Sequence, residues 1–296
     1  MKTNTVIIGS GIAGMSAAIY LKRADIDFVI IESSAPGGQI LRTSTIENYP
    51  GFKQIDGPEF AINVYKQLNN LDVKYIYDEV IEIINNNVDK IIKTSNQEII
   101  CKNVIIATGR TPRRLGIENE EKFTGKGISY CALCDGNLYK NKDVAIIGAG
   151  NSAFEESLYL SKICNKVTII ARNDVFRADD ILVDKVKNTK NIEILTKKEV
   201  KEIIGNEKLE QIILNDGTKL DISGLFIYIG QHTNIKPYEK LNITNEYGYI
   251  NVNNKMETNI PSIYACGDCI NKELYQIITA ASEGAIAANQ IIKKEG

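Results

Sequence analysis

Two short unbroken apolar runs of the chain sit in matching surroundings. Val6-Ile7-Ile8 leads into a glycine-rich turn, then a segment with apolar residues at helical spacing, then a second run, Val29-Ile30-Ile31. Ala145-Ile146-Ile147 leads through the same order to Thr168-Ile169-Ile170. An apolar run bounded by turn residues reads as a buried strand, so each copy predicts strand, turn, helix, strand with the two strands parallel. Residues 74–84, 90–94 and 99–107 read as short strands of a β-meander, with a turn at Asn85-Asn86-Asn87. Similar β material follows the second copy at 192–195, 202–204, 209–214 and 225–229, with a hairpin turn at Asn215-Asp216-Gly217. Thr279 to Lys293 reads as a closing helix with an apolar, small-residue face. No linker is rich in Pro or Gly. Boundaries near Thr111-Pro112 and Lys236-Pro237 give a first domain of residues 1–112 and 239–296, with residues 113–238 inserted in it.

The turns themselves are specific. Gly9-Ser10-Gly11-Ile12-Ala13-Gly14 and Gly148-Ala149-Gly150-Asn151-Ser152-Ala153 lie 139 residues apart, and the same offset carries Tyr20-Leu21 onto Tyr159-Leu160. In such a turn the first glycine allows the tight bend, the second lets backbone approach a pyrophosphate, and the third small residue lets helix and strand pack closely. The helix start then offers unpaired N–H groups and a positive dipole end to phosphate. The expected fold is α/β, with two Rossmann-like nucleotide-binding domains of the three-layer β-β-α type, the second inserted in the first. In the first copy the second strand ends at Glu32, placed to accept from a ribose 2′-OH, as in FAD or NAD. The same offset lands on Ala171, with Arg172 next to it and Arg177 further on. Guanidinium groups without an acid suit a 2′-phosphate, hence NADP; solvated surface arginines are the plainer alternative.

Composition narrows the chemistry. The chain has 296 residues, 44% hydrophobic and 24% charged, which excludes a disordered chain. Lys and Arg total 35 against 37 Asp and Glu, so no basic surface for nucleic acid or anionic membrane is implied. No apolar run reaches the ~18 residues of a membrane helix. With no room for a signal peptide before the first strand, a cytoplasmic location is expected. A single histidine, His232, nearly excludes chemistry built on several imidazoles. Six cysteines stand at 101, 131, 134, 164, 266 and 269. In a chain of this kind a C-x-x-C reads first as redox or metal. The distance from Cys134 to Cys266 far exceeds the roughly 15–20 residues between the pairs of a four-cysteine zinc site, so no metal is expected.

Cys131-Ala132-Leu133-Cys134 can bring both sulfurs within disulfide reach in one turn, and such a pair can cycle between dithiol and disulfide. Asp135 is the nearest acid or base for a leaving thiolate. Here the chain resembles a known family. Ser129-Tyr130-Cys131-Ala132-Leu133-Cys134-Asp135-Gly136 is similar to the active-site signature of the low-molecular-weight thioredoxin reductases, where Thr commonly stands in the place of Leu133. The resemblance covers almost the whole chain. It implies that Gly9, Gly11, Ala13, Gly14 and Glu32 hold the pyrophosphate and ribose of FAD, and that the Gly38-Gln39 and Glu47-Asn48 segments lie beside the flavin. It further assigns Thr108-Gly109 to a second FAD motif, Gly267-Asp268 to the ribityl chain and Gln276 to the flavin side. Gly148, Gly150, Asn151, Ser152, Arg172 and Arg177 would bind NADPH.

The activity so implied passes electrons from NADPH through FAD to a Cys131–Cys134 disulfide and on to thioredoxin or a thioredoxin-like protein. Cys134 would face the flavin, Cys131 would attack the partner, and Asp135 would manage the proton. The second domain would turn between two arrangements, and the protein would be a homodimer. Three places depart from the family pattern. Ala171-Arg172-Asn173 stands for His-Arg-Arg, Tyr275 stands for the usual Arg before Gln276, and Cys266 stands for Ala before Gly267. The first two remove cations near the nucleotides. They keep open a reductase fed by ferredoxin, and more distant rivals are a dithiol oxidase and a flavin redox sensor without turnover. Cys266 and Cys269 form a second C-x-x-C, read as buried thiols like Cys101 and Cys164.

Overall fold

The computed structural model describes residues 1–43 and 45–295. It divides into two compact units: unit 1 is Met1–Leu41, Tyr49–Thr111 and His232–Gly296, and unit 2 is Arg42–Asn48 and Pro112–Gln231. The chain runs in unit 1 through β1 (Lys2–Ile8), α1 (Ile12–Arg23), β2 (Phe28–Glu32), α2 (Gly57–Asn69), β3 (Tyr75–Tyr77), β4 (Val80–Asn86), β5 (Asp89–Thr94) and β6 (Glu98–Ile106), and leaves at β7 (Thr111–Pro112). Unit 2 holds α3 (Glu120–Phe123), β8 (Ile128–Ser129), α4 (Ala132–Asp135), β9 (Asp143–Ile147), α5 (Asn151–Ser161), β10 (Lys166–Ala171), α6 (Asp180–Lys187) and β11 (Ile192–Thr196). It continues through β12 (Val200–Gly205), β13 (Leu209–Leu214), β14 (Lys219–Asp221) and β15 (Gly224–Ile227) to β16 (Gln231–His232). The chain then closes unit 1 with β17 (Ile263–Ala265) and α7 (Ile277–Glu295).

The sheet of unit 1 runs β3-β2-β1-β6-β5-β4, with β17 also paired to β6. β3, β2, β1, β6 and β17 are parallel, and β4, β5 and β6 form the antiparallel meander. Side chains of a strand alternate between faces, and the apolar runs fill both. Val6, Ile8, Val29, Ile31, Val104 and Ile106 enter one core with the meander. Ile7, Ile30 and Ile105 enter the other with α1 and α7. This explains why the runs are unbroken: a parallel strand covered on both faces has no solvent side to make polar.

Unit 2 repeats the scheme with the order β11-β10-β9-β15-β8, all parallel, and a separate sheet β12-β13-β14. Val144, Ile146, Val167, Ile169 and Phe226 meet α5 and α6. Ala145, Ile147, Ile170, Leu225 and Ile227 meet the antiparallel sheet. The hairpin turn at Asn215-Asp216-Gly217 joins β13 to β14, with Gly217 at φ 86°. Each unit is thus a three-layer Rossmann-like domain. The structure adds α2 and α6, which the apolar runs do not mark. The start of α2 was nevertheless written in the sequence, since Asp56 caps it by accepting the Glu59 N–H at 2.8 Å, with Pro58 in the first turn. The β material expected at 74–84 as part of the meander is broken at Asp78, whose carboxylate accepts the N–H groups of Glu79 (2.8 Å) and Asn96 (3.2 Å); its first part, β3, instead pairs parallel with β2, and only β4 joins the meander. No described helix is long and apolar enough to cross a membrane.

Candidate active site

In unit 1 the glycine turn joins β1 to α1. Gly9 has φ +100°, and a Cβ there would lie 2.5 Å from the Ala107 carbonyl oxygen. A Cβ on Gly14 would lie 2.1 Å from the Gly9 carbonyl oxygen. The protein's own backbone therefore demands both glycines. Gly11 is different: its φ of −73° suits any residue, and a Cβ there would meet nothing within 4 Å. No described residue requires it to be bare, which is the mark of a backbone kept clear for a ligand. Gly11 also begins α1, which has no side-chain cap and no acid in its first turn, leaving its N–H groups to an anion. Glu32, buried at the end of β2, accepts from Ser10 N at 2.7 Å and from Ser34 N and Oγ at 2.9 and 3.1 Å. These bonds fix its carboxylate and leave lone pairs for a further donor.

Of the other expected residues in unit 1, Gly38, Thr108 and Gly267 lie against this turn. A Cβ on Gly38 (φ +59°) would meet Gly11 Cα at 3.3 Å, and Gln39 Nε2 donates to the Arg110 carbonyl at 2.6 Å. Thr108 and Gly109 (φ +64°) follow β6. A Cβ on Gly267 would lie 2.8 Å from Ala13 Cβ, and Gly267 N donates to Glu283 Oε2 at 2.8 Å. Asp268 is held between Lys272 Nζ (3.4 Å) and Arg110 Nε (3.7 Å). Gln276 stands immediately before α7. Asn48 falls instead in unit 2. The second C-x-x-C is fully buried and divided between the two cores, Cys269 on the meander side and Cys266 on the helix side. Burial pushes the Cys266 thiol well up and the Cys269 thiol to about 11, so both are inert packed thiols. No described group of residues could hold a metal ion.

In unit 2 the turn repeats with the same division of labour. A Cβ on Gly148 would lie 2.5 Å from the Tyr228 carbonyl oxygen, whereas one on Gly150 would meet nothing within 4 Å. Gly150 begins α5, again with no side-chain cap. Asn151, in the first turn of α5, accepts from Asp179 N at 2.8 Å and donates to Asp179 Oδ2 at 3.1 Å. Ser152 beside it is exposed. Arg177 N donates to the Ala149 carbonyl at 2.8 Å, tying its loop to the glycine turn. Arg172 and Arg177 are both exposed, and Ala171 is buried. On α5, Glu156 has a buried Oε2 without a hydrogen-bond partner among the described residues, and burial, then Glu155, pushes its carboxyl up to about 7.

The cysteines lie in the same unit. Cys131 and Cys134 form a disulfide across α4, with Cα atoms 5.3 Å apart. Cys131 caps α4: its Sγ accepts the Cys134 N–H at 3.2 Å. The next amide, Ala132 N, donates to the Tyr228 hydroxyl at 2.7 Å. Asp135 is 8% exposed, and Ser129 Oγ donates to its Oδ2 at 2.7 Å while accepting from Cys131 N at 3.1 Å. The carboxylate is thereby tied to the backbone of the first cysteine. The phenol of Tyr139 is pushed up to about 12 by burial, with the Asp135 charge adding to it. The cysteine signature contains Ser129 without giving it a role, and no motif marks Tyr228. Its only local signal was a tyrosine just past the apolar run of β15.

Comparison with known proteins agrees with this geometry. The family described as pyridine nucleotide-disulphide oxidoreductase matches residues 3–284. The thioredoxin reductase of Bacillus subtilis is 40% identical over 294 residues, covering 97% of this chain and 93% of that protein. The thioredoxin reductase of Ureaplasma parvum is 45% identical over 289 residues, covering 96% and 94%. Among solved structures, thioredoxin reductase from Streptococcus pyogenes superposes with a TM-score of 0.95 at 39% identity, covering 100% and 99% of the two chains. The chain belongs to the low-molecular-weight thioredoxin reductase family. As a member it is a flavin-dependent disulfide oxidoreductase, and the bare Gly11 and uncapped α1 of unit 1 fit such a group. The family's signature cysteines are the pair that the structure bonds at α4.

Proposed function

We propose that the chain carries electrons from NADPH through FAD to the Cys131–Cys134 disulfide, and from there to thioredoxin or a thioredoxin-like protein. The observation that carries this is a disulfide whose first sulfur accepts the helix-start N–H of Cys134, beside a buried Asp135 fixed by Ser129. FAD, held by Gly9, Gly11, Gly14, Glu32, Gly38, Gln39, Thr108, Gly109, Asp268 and Gln276, would supply two-electron exchange between a hydride donor and a disulfide. The rest is the work of this chain's side chains. Opening the bridge with two electrons and one proton leaves one thiol and one thiolate. A negative sulfur is best held at Cys131, where the Cys134 N–H already points at Sγ. Cys131 is therefore the attacking nucleophile, and its attack on the partner's disulfide forms a mixed disulfide. Cys134 then attacks Cys131 Sγ, restores the bridge and releases the partner's second sulfur. Asp135 would carry the proton that the departing sulfur needs.

The donor is NADPH on this proposal because Gly150 is kept bare and Arg172 and Arg177 remain without an acid at Ala171. Ferredoxin is the second donor considered, since Asn173 stands where the family pattern has a cation. Anaerobic titration with NADPH, NADH and reduced ferredoxin, followed by flavin absorbance, separates them. The expected result is bleaching by NADPH at near-stoichiometric amounts. Bleaching by ferredoxin alone would reject the NADPH step, and a preparation that takes up no flavin would reject the whole proposal.

A further inference from the structure

The loss of a cation expected from Tyr275 is made good from another segment, the loop after β6. Arg110, just past Gly109, lays its guanidinium 3.6 Å from the centre of the Tyr275 ring. Its Nε faces Asp268 Oδ2 at 3.7 Å, too far for a hydrogen bond, and is buried with no hydrogen-bond partner among the described residues. Lys272 is the second cation over the same ring, at 5.3 Å. It divides its charge between Asp268 Oδ1 (3.4 Å) and Glu283 Oε2 (2.8 Å). Glu283 in turn takes the Gly267 N–H and so fixes the loop that carries Asp268. Two cations thus lie over one aromatic ring and are paired with two carboxylates, all within unit 1. Lys272 bonds Glu283 most closely and shares Asp268 with Arg110, so Arg110 is the second cation of the pair of carboxylates.

We propose that Arg110, seated on Tyr275 opposite Asp268, is a positioning residue that keeps the flavin-binding end of unit 1 electrically neutral and thereby favours the reduced flavin. The inference rests on the flavin assignment made above. Arginine suits the task because its planar cation stacks on an aromatic face while its N–H groups stay directed in the ring plane. Without it the cluster carries a net negative charge beside a group that itself becomes more negative. Uptake of two electrons and one proton adds one negative charge to the flavin, and a nearby uncompensated carboxylate opposes that change. The tyrosine at 275 then has a purpose: it is the seat for a cation delivered from position 110.

The test uses the flavin-loaded protein and three variants: Arg110→Gln, Arg110→Lys and the exchange Arg110→Gln with Tyr275→Arg. Each is equilibrated anaerobically with a reference dye of known potential and read by absorbance, with flavin retention on dilution read by fluorescence. Arg110→Gln is expected to shift the equilibrium about tenfold toward oxidised flavin, about 30 mV for a two-electron couple. Arg110→Lys should recover part of the shift, and the exchange should recover most of it by returning a cation from the other element. Loss of flavin from Arg110→Gln that the lysine and exchange variants reverse would equally support the proposal. An unchanged equilibrium with flavin bound, or a defect that neither variant reverses, would overturn it. Failure of the parent protein to bind flavin would instead reject the functional proposal and is seen before any variant is made.

Discussion

The two glycine turns share a backbone design and differ in what covers the helix that follows. In unit 1, α1 is packed under α7. Ser16 Oγ donates to the Ala281 carbonyl at 2.8 Å, a Cβ on Gly284 would lie 2.0 Å from the Ala13 carbonyl oxygen, and Ala17 is fully buried. The 139-residue offset carries Ala13, Ser16 and Ala17 onto Ser152, Glu155 and Glu156 of α5. Ser152 and Glu155 are exposed, and Glu156 is half-buried. One helix face is closed by a small-residue contact, and its twin is polar and open. The strand ends differ in the same spirit, with Glu32 bonded to two N–H groups where unit 2 has the buried methyl of Ala171. A shared fold therefore does not mean a shared ligand: on the proposed function the turn would set where a phosphate goes, and the residues one turn and one strand away would set which nucleotide brings it.

The largest effect should come from separating the structural glycine from the bare one. Gly9→Ala puts a side chain at φ +100° and 2.5 Å from a backbone oxygen. It should destabilise unit 1 by about 2 kcal/mol or more and lose flavin through misfolding. Gly11→Ala meets no protein atom within 4 Å and should change stability by less than about 0.5 kcal/mol. It should nevertheless weaken flavin retention at least several-fold. Urea unfolding of both variants, alongside flavin release, tests this. Equal loss of stability in the two would mean that Gly11 is there for packing. Gly150→Ala is the control in the other unit, and it should leave flavin bound while raising the KM for NADPH.

How much of this was legible in advance divides along the same line. The paired βαβ units, the meander, the closing helix and the bonded cysteines follow from apolar runs, glycine spacing and the C-x-x-C, because each is a local signal. The partners that hold the site were not legible. Arg110 and Tyr275 are far apart in sequence and meet only because β6 and the segment before α7 end side by side. Ser129 and Tyr228 act through a hydroxyl placed by the ends of β8 and β15. Glu283 could have been suspected, as an acid set in the small-residue stretch of α7, but its partners Lys272 and Gly267 come from the loop before that helix. A cation counted as lost at Tyr275 was in fact delivered from elsewhere, which no inspection of position 275 alone could reveal.

A smaller effect should follow from copying one unit's strand end into the other. Ala171→Glu would place a carboxylate where Glu32 stands in unit 1, with Ala149 and Asn173 as the counterparts of Ser10 and Ser34. A carboxylate repels a 2′-phosphate and accepts from a free 2′-OH. The ratio of kcat/KM for NADPH over NADH should fall roughly ten- to hundredfold, the value of one charge-assisted bond of about 1.5–3 kcal/mol. Steady-state rates with both nucleotides measure it. An unchanged ratio would mean that Arg172 and Arg177 are solvated surface charges and that selectivity, if any, arises elsewhere.

The smallest effect concerns stability alone and sharpens the contrast between Ala17 and Glu156. The Glu156 carboxyl is raised from 4.5 to about 7, chiefly by burial. A carboxyl whose folded pKa lies above its unfolded one favours the fold while protonated, and that contribution is lost as pH rises through the folded value. It is complete below pH 4.5 and lost as pH rises through about 7. Glu156→Gln removes the titration and keeps the shape. The variant and the parent should unfold alike at pH 4.5, and the variant should be the more stable at pH 8, by at most about 3 kcal/mol. Urea unfolding of the two proteins across that range reads the difference directly. Parallel curves would show that the open face of α5 leaves this carboxyl in water, and that the two units differ less in the burial of this helix position than their sequences imply.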